Sequence, residues 1–305
     1  MTRIFPPELH LQSLHFHKLN FHKLQGAGND FVVLDLFSRP LAPDFDFSAA
    51  AVLLCNRHFG AGADGLLTLE PATDRSPLRM RMWNPDGSED MCGNGLRCVA
   101  ALAWRQKIIK TPRFEVQTLA GTRQIEILKT DWIRAAMGEP VFEPSQIPIV
   151  LPATKNEALD IEIPVGGRVF RASSLSTGST HTVIFLDSPL SEADFQKFGP
   201  LLENHPFFPS RTSIMFAVAD GENRFKIRIW ERGAGETLAC GTGACAVAVA
   251  AQMVGRARGP IEVESRGGTL KVEWNRGEPI FLTGPARHVF EAESDFVFET
   301  SNAAI

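Results

Sequence analysis

Short apolar runs dominate the chain. Phe31–Leu36, Phe114–Leu119, Gln124–Leu128, Val183–Leu186 and Ile261–Val263 are separated by clusters of Gly, Pro, Asn and Asp. Runs of that length between turn residues predict strands. Asn275-Arg-Gly277, between Lys271–Trp274 and Pro279–Leu282, predicts a hairpin turn. Two segments break the pattern. After Cys92 and after Cys240 the alanines, leucines and valines are apolar nearly all round a helical wheel, which predicts two helices, each buried inside a sheet.

The pattern occurs twice. Gly26-Ala-Gly-Asn-Asp-Phe-Val-Val-Leu-Asp35 recurs as Gly178-Ser-Thr-His-Thr-Val-Ile-Phe-Leu-Asp187, roughly half the chain later. Met80-Arg-Met-Trp83 recurs as Ile227-Arg-Ile-Trp230, and CGNGLRCVAALAWRQ from Cys92 as CGTGACAVAVAAQMVG from Cys240, with the order of elements kept. The expected fold is therefore α+β: two pseudo-symmetric halves, each a mostly antiparallel, barrel-like sheet wrapped around a central α-helix. Residues 1–19 read as an N-terminal extension, 20–136 with 285–305 as the first half, and 137–284 as the second. The chain crosses between halves near Met137-Gly-Glu-Pro140.

Charge and composition narrow the function. Lys and Arg number 31 against 35 Asp and Glu, a net charge of −4 with no long basic run, which argues against nucleic-acid binding. No apolar run reaches the length of a membrane span. The first residues lack an apolar h-region and a cleavage site, so the expected location is cytoplasmic, where thiols stay reduced. Cys55, Cys98 and Cys245 read as small buried hydrophobes. The gaps Cys92 to Cys98 and Cys240 to Cys245 are too wide for a zinc knuckle, so no metal is expected. The Gly-rich loops lack the Lys-Ser/Thr of a nucleotide site. His10, His15, His17 and His22 alternate like strand residues on a partly exposed edge. Arg57, His58 and Asp64 are assigned structural hydrogen bonding, and Asp86-Gly87 a turn.

Cys92 and Cys240 stand apart. A Cys followed by Gly-x-Gly and a strong helix sits at a helix N-terminus, where open N–H groups and the helix dipole favour negative charge. A carboxylate can dock there, and the thiol is expected to have its pKa lowered toward neutrality. Two equivalent halves packed face to face can aim two such thiols at one carbon from opposite sides. One removes a proton and the other returns one, which inverts the centre.

Gln25-Gly-Ala-Gly-Asn-Asp-Phe31, Asn56-Arg-His-Phe-Gly-Ala-Gly-Ala-Asp-Gly65, Asn84-Pro-Asp-Gly-Ser-Glu89, MCGNGLRC and ERGAGETLACGTGAC resemble the diaminopimelate epimerase family. The resemblance runs from about Phe21 to the Pro285 region. It implies no cofactor, a small-molecule amino-acid substrate in a cleft between the halves, and Cys92 and Cys240 as the two bases. It further implies that Asn29 and Asn84 hold polar groups of the substrate, and that Gly93-Asn94 and Gly241-Thr242 bind the reacting carboxylate. Glu231 and Arg232 would read the distal ammonium and carboxylate, while His181 and Glu231 would modulate the thiols. A homodimer is compatible with it. The chain departs from the family at Ser179 and Ser213, where the family has asparagines that contact the distal end of the substrate, and at Gly65, where it has Gln.

Three functions follow for comparison. The first is conversion of LL-diaminopimelate to the meso form for lysine and peptidoglycan synthesis. The second is the same two-thiol chemistry on another amino acid such as histidine, given the two serines. The third is a non-catalytic module binding a carboxylated ligand, which needs neither thiol.

Overall fold

The computed structural model describes residues 18–151 and 156–294. The expected extension therefore lies almost wholly outside the described residues, as do His10, His15 and His17.

In the first half, β1 (Leu19–Gly26) and β2 (Asn29–Asp35) form an antiparallel pair. The chain crosses through α1 (Phe47–Cys55) to β3 (Gly65–Glu70), which lies parallel to β2. Next come β4 (Leu78–Trp83) and the short β5 (Glu89–Asp90), each antiparallel to the strand before it. A second crossover, α2 (Gly93–Arg105), leads to β6 (Arg113–Thr118), parallel to β4. The half then meanders through β7 (Gly121–Lys129) and β8 (Trp132–Gly138).

The second half repeats this plan. It runs β9 (Ile161–Val165), β10 (Arg168–Ser176), β11 (Thr180–Leu186), α3 (Glu192–Glu203), β12 (Ser213–Ala219), β13 (Arg224–Glu231) and β14 (Gly235–Thr237). After these come α4 (Gly241–Met253), β15 (Ile261–Ser265), β16 (Gly268–Glu273) and β17 (Ile280–Pro285). Parallel pairs again flank the two crossovers, β11 with β12 and β13 with β15. The expected hairpin joins β16 to β17, with Gly277 at φ 82° in its turn. The halves meet where β8 pairs antiparallel with β17, Ala135 opposite Leu282. Beyond this seam, β18 (Arg287–Ser294) returns to pair with β1, in the place that β9 takes beside β10.

Burial explains the layering. On α2, Leu96 to Ala103 are all buried among Leu24, Val33, Leu69, Val116 and Ile133. On α4, Gly243 to Ala251 are buried among Val183, Phe225, Val263 and Val272. A helix that is apolar all round has no face to give to water, so each sheet curls around one. The other two helices pack outside, α1 on a cluster with Leu54 and Trp83, α3 on one with Phe195 and Phe216.

Two findings differ from the sequence reading. That reading named neither α1 nor α3. Each carries a local start signal, the Asp46 carboxylate accepting from the Ala49 N–H and the Ser191 hydroxyl from the Asp194 N–H. His22 is buried, not on an exposed edge. Strand β1 has β2 on one side and β18 on the other, and His22 Nδ1 lies 3.2 Å from His288 Nε2.

Candidate functional site

Cys92 and Cys240 occupy equivalent places. Each is the N-cap of its buried helix, in extended backbone conformation, at φ −132° and −140°. Cys92 Sγ accepts from the Gly95 N–H at 3.4 Å, and Cys240 Sγ from the Gly243 N–H at 3.3 Å. The following glycines are closely approached by side chains of the other wall elements. A Cβ on Gly93 would lie 2.4 Å from Met137 Cε, and one on Gly241 3.0 Å from Asn94 Oδ1. Without side chains there, the N–H groups at the helix starts stay open to a ligand.

Both thiols line one cavity of about 470 Å³, a size suited to a small molecule. The first half contributes Asn29, Asn84, Gly93 and Asn94 to its wall, and the second Ser179, His181, Ser213, Glu231, Gly241 and Thr242. Arg232 is not in that wall. It is exposed, its guanidinium donates to the Ser210 carbonyl at 3.3 Å, and its backbone N–H to Ser213 Oγ at 3.1 Å.

The first-half wall is tied together by amides. Asn94 Nδ2 donates to Asn29 Oδ1 at 2.6 Å, and Asn29 Nδ2 to Asp64 Oδ2 at 3.1 Å. Asp64, assigned structural hydrogen bonding from the sequence, lines the cavity as well and receives Arg57 at 2.6 Å. Asn84 donates to Ser88 Oγ at 3.1 Å across a turn with Gly87 at φ 85°. On the second-half wall Ser179 Oγ lies 3.0 Å from His181 Nε2 and 3.4 Å from Thr242 Oγ1, which is itself 3.4 Å from Cys240 Sγ. Glu231 accepts from Thr237 Oγ1 at 2.6 Å and lies near enough to the Cys240 thiol for its charge to bear on it.

The electrostatics correct one expectation. Neither thiol is lowered toward neutrality: burial pushes both up. The helix-start N–H groups act in the expected direction at each sulfur, but loss of hydration outweighs them. Glu231 adds its negative charge against a thiolate at Cys240, while Arg97 opposes the rise at Cys92. Burial also raises the Glu231 carboxyl, and burial with the Arg232 charge lowers His181 to about 3, leaving its imidazole neutral. Cys55, Cys98 and Cys245 are buried and pushed up to about 12, as inert core thiols are.

Two arginines were missed. Arg123 lines the cavity from β7 with its Nε unpartnered among the described residues. Arg97 is wholly buried behind the start of α2. A lone charge inside the otherwise apolar CGNGLRCVAALA segment was the available signal for the second. Among the described residues no three His, Cys, Asp or Glu side chains group as a metal-ligand set, and no helix is long and apolar enough to cross a membrane.

Comparison with known proteins agrees with this architecture. The chain is 43% identical over 273 residues to a diaminopimelate epimerase of Pelotomaculum thermopropionicum, covering 88% of this chain and 96% of that protein. It is 44% identical over 277 residues to a diaminopimelate epimerase of Desulforudis audaxviator, covering 88% and 97%. Among solved structures, a hydroxyproline epimerase of Agrobacterium vitis shares the fold at a TM-score of 0.66 and 15% identity, over 90% of this chain and 92% of that one. A PhzF-family phenazine biosynthesis protein of Bacillus anthracis shares it at 0.63 and 17%, over 91% and 99%. The sequence profile described as diaminopimelate epimerase matches residues 21–143 and 173–289. With that match across both halves, the chain belongs to the diaminopimelate epimerase family.

Proposed function

We propose that this protein inverts one α-carbon of diaminopimelate, converting the LL to the meso isomer without a cofactor, in the synthesis of lysine and peptidoglycan precursors. The observation that carries this reading is the pair of thiols, each capping a pseudo-equivalent helix and both lining one cavity. The substrate carboxylate docks on the N–H groups of Gly93-Asn94 and Gly241-Thr242, between two helix dipoles. One sulfur, as thiolate, takes the α-proton while the opposite thiol delivers another to the far face. The electron pair left by the C–H bond spreads onto the carboxylate, where fixed N–H donors hold the added charge. Thiols raised by burial are stronger bases once ionised, which suits a weakly acidic C–H bond. The α-ammonium of the substrate brings the positive charge that ionisation of one thiol calls for.

Selectivity rests on the rest of the wall. Asn29, Asn84 and Glu231 face the cavity, with Arg232 at the turn that Ser213 holds by its backbone. Ser179 and Ser213 are shorter than the family's asparagines, so a water between either hydroxyl and a distal carboxylate replaces a direct amide contact.

The test is α-proton exchange in deuterated buffer with LL-diaminopimelate, histidine and other L-amino acids, for the wild type, Cys92→Ala and Cys240→Ala. Exchange with inversion on diaminopimelate is expected, and at least about a hundredfold loss of inversion in either variant. Exchange on another amino acid with none on diaminopimelate would overturn the substrate. Near-normal inversion in one variant would overturn the two-thiol mechanism.

A further inference from the structure

Arg97 is a buried cation that the mechanism above does not use. Its exposure is 0%, and no carboxylate pairs with it among the described residues. One amine donates to the Gly93 carbonyl at 3.3 Å and the other to Asn94 Oδ1 at 2.5 Å, while Nε has no partner among those residues. The guanidinium reaches the seam, where a Cβ on Gly284 of β17 would lie 3.3 Å from its Nε. An arginine keeps its charge even there, so the fold carries the cost of burying a charge with no counter-ion. The repeat sharpens the point. The residue five positions after Cys92 is Arg97, and the one five positions after Cys240 is Cys245, so only one half carries this charge.

We propose that Arg97 is a positioning residue, a buried cation that aligns Asn94 for the reacting carboxylate and stabilises negative charge at the start of α2. The inference deepens the two-thiol reading and rests on it for its kinetic consequence. Arg97 fixes the Asn94 carbonyl, which leaves the amide to donate to Asn29, so the first-half wall is set as one chain. The anions it faces are of two kinds. One is the Cys92 sulfur when ionised, to which Arg97 and Glu231 of β13 bring opposite charges and which Cys240, at the start of α4, also faces. The other is the substrate carboxylate, which gains a second negative charge as the α-proton leaves. A cation near that oxygen pair favours the later, doubly charged state over the bound substrate, so its loss lowers kcat more than it raises KM. The remaining neighbours of Arg97, Cys98 on α2 and Cys245 on α4, are thiols held protonated by burial and do not neutralise it.

The test reads Cys92 directly. Alkylation of Cys92 by iodoacetamide is followed against pH by peptide mass mapping in the full chain, wild type, Arg97→Gln and Arg97→Lys. Gln keeps a donor for Asn94 and drops the charge, whereas Lys keeps the charge. The Cys92 midpoint should rise by at least about one pH unit in Arg97→Gln, a tenfold slower reaction below it, and stay near wild type in Arg97→Lys. Should Arg97→Gln not fold, Cys245→Asp sets a carboxylate beside the unchanged Arg97 and should raise the midpoint likewise. In steady state Arg97→Gln should lose about tenfold or more in kcat with KM within about threefold, and Arg97→Lys should recover most of it. An unshifted midpoint in the folded neutralised variant, or equal losses in Gln and Lys, overturns the proposal. Alkylation needs no substrate, so a wrong substrate leaves that arm intact, while wild-type epimerisation beside an unshifted midpoint removes Arg97 alone.

Discussion

His181 shows what burial does to one residue. Its Nε2 meets the Ser179 hydroxyl at 3.0 Å, and its Nδ1 has no partner among the described residues. Burial, with the Arg232 charge, lowers it from 6.5 to about 3, so any effect on a thiol comes from a neutral ring dipole and not from an imidazolium. A stability consequence follows. Between about pH 3 and 6.5 the unfolded chain binds a proton that the folded chain refuses, so this residue's contribution is complete above 6.5 and is lost as pH falls toward 3. Each pH unit below 6.5 favours unfolding about tenfold through this residue. Urea midpoints at about pH 7 and about pH 4.5 should therefore fall further for the wild type than for His181→Gln. Equal falls would mean that the ring is protonated in the folded state.

Among the elements, two turns related by the repeat behave differently. The β15–β16 turn lies backbone to backbone on the β1–β2 turn: a Cβ on Gly267 would come within 2.1 Å of the Ala27 carbonyl oxygen. Its counterpart, the β6–β7 turn with Ala120, lines the cavity, and a Cβ on Gly178 would meet only Thr242 Cγ2, at 3.7 Å. The halves are thus clamped on one side and open on the other. Gly267→Ala should force the clamp apart at a cost of about 2–3 kcal/mol, seen as a lower Tm. An unchanged Tm would deny that contact. The same level shows what could be read in advance. The two buried helices were legible because all-round apolar character and Cys-Gly-x-Gly starts coincide in them. Helix α1 is nine residues, apolar but for Ser48, which carry no clear amphipathic period, and α3 holds Pro200 inside it. The thiols were placed correctly at the helix starts, but the direction of their pKa depends on depth, and a motif states donors without stating depth. Arg97 and Arg123 escaped for a related reason: their meaning lies in having no counter-ion among the described residues, which only the packed neighbours reveal.

At the scale of the whole molecule, the last described strand belongs beside the first. Strand β18 completes the sheet around α2 by pairing with β1, from Leu19 opposite Ser294 to Gln25 opposite Arg287. Synthesis proceeds from the other end. While the second half emerges from the ribosome, β1 waits with one edge bare and His22 open to water, and that edge is a template for any passing strand. Strands β9 to β17, by contrast, can pair among themselves as soon as they are made. Chains truncated just short of Arg287 and released should therefore be cut by protease within the first half while the second resists, whereas the full chain should resist in both. Equal resistance in the truncated chain would show that the first half closes without its last strand. The half translated first is, on this topology, the half that finishes last.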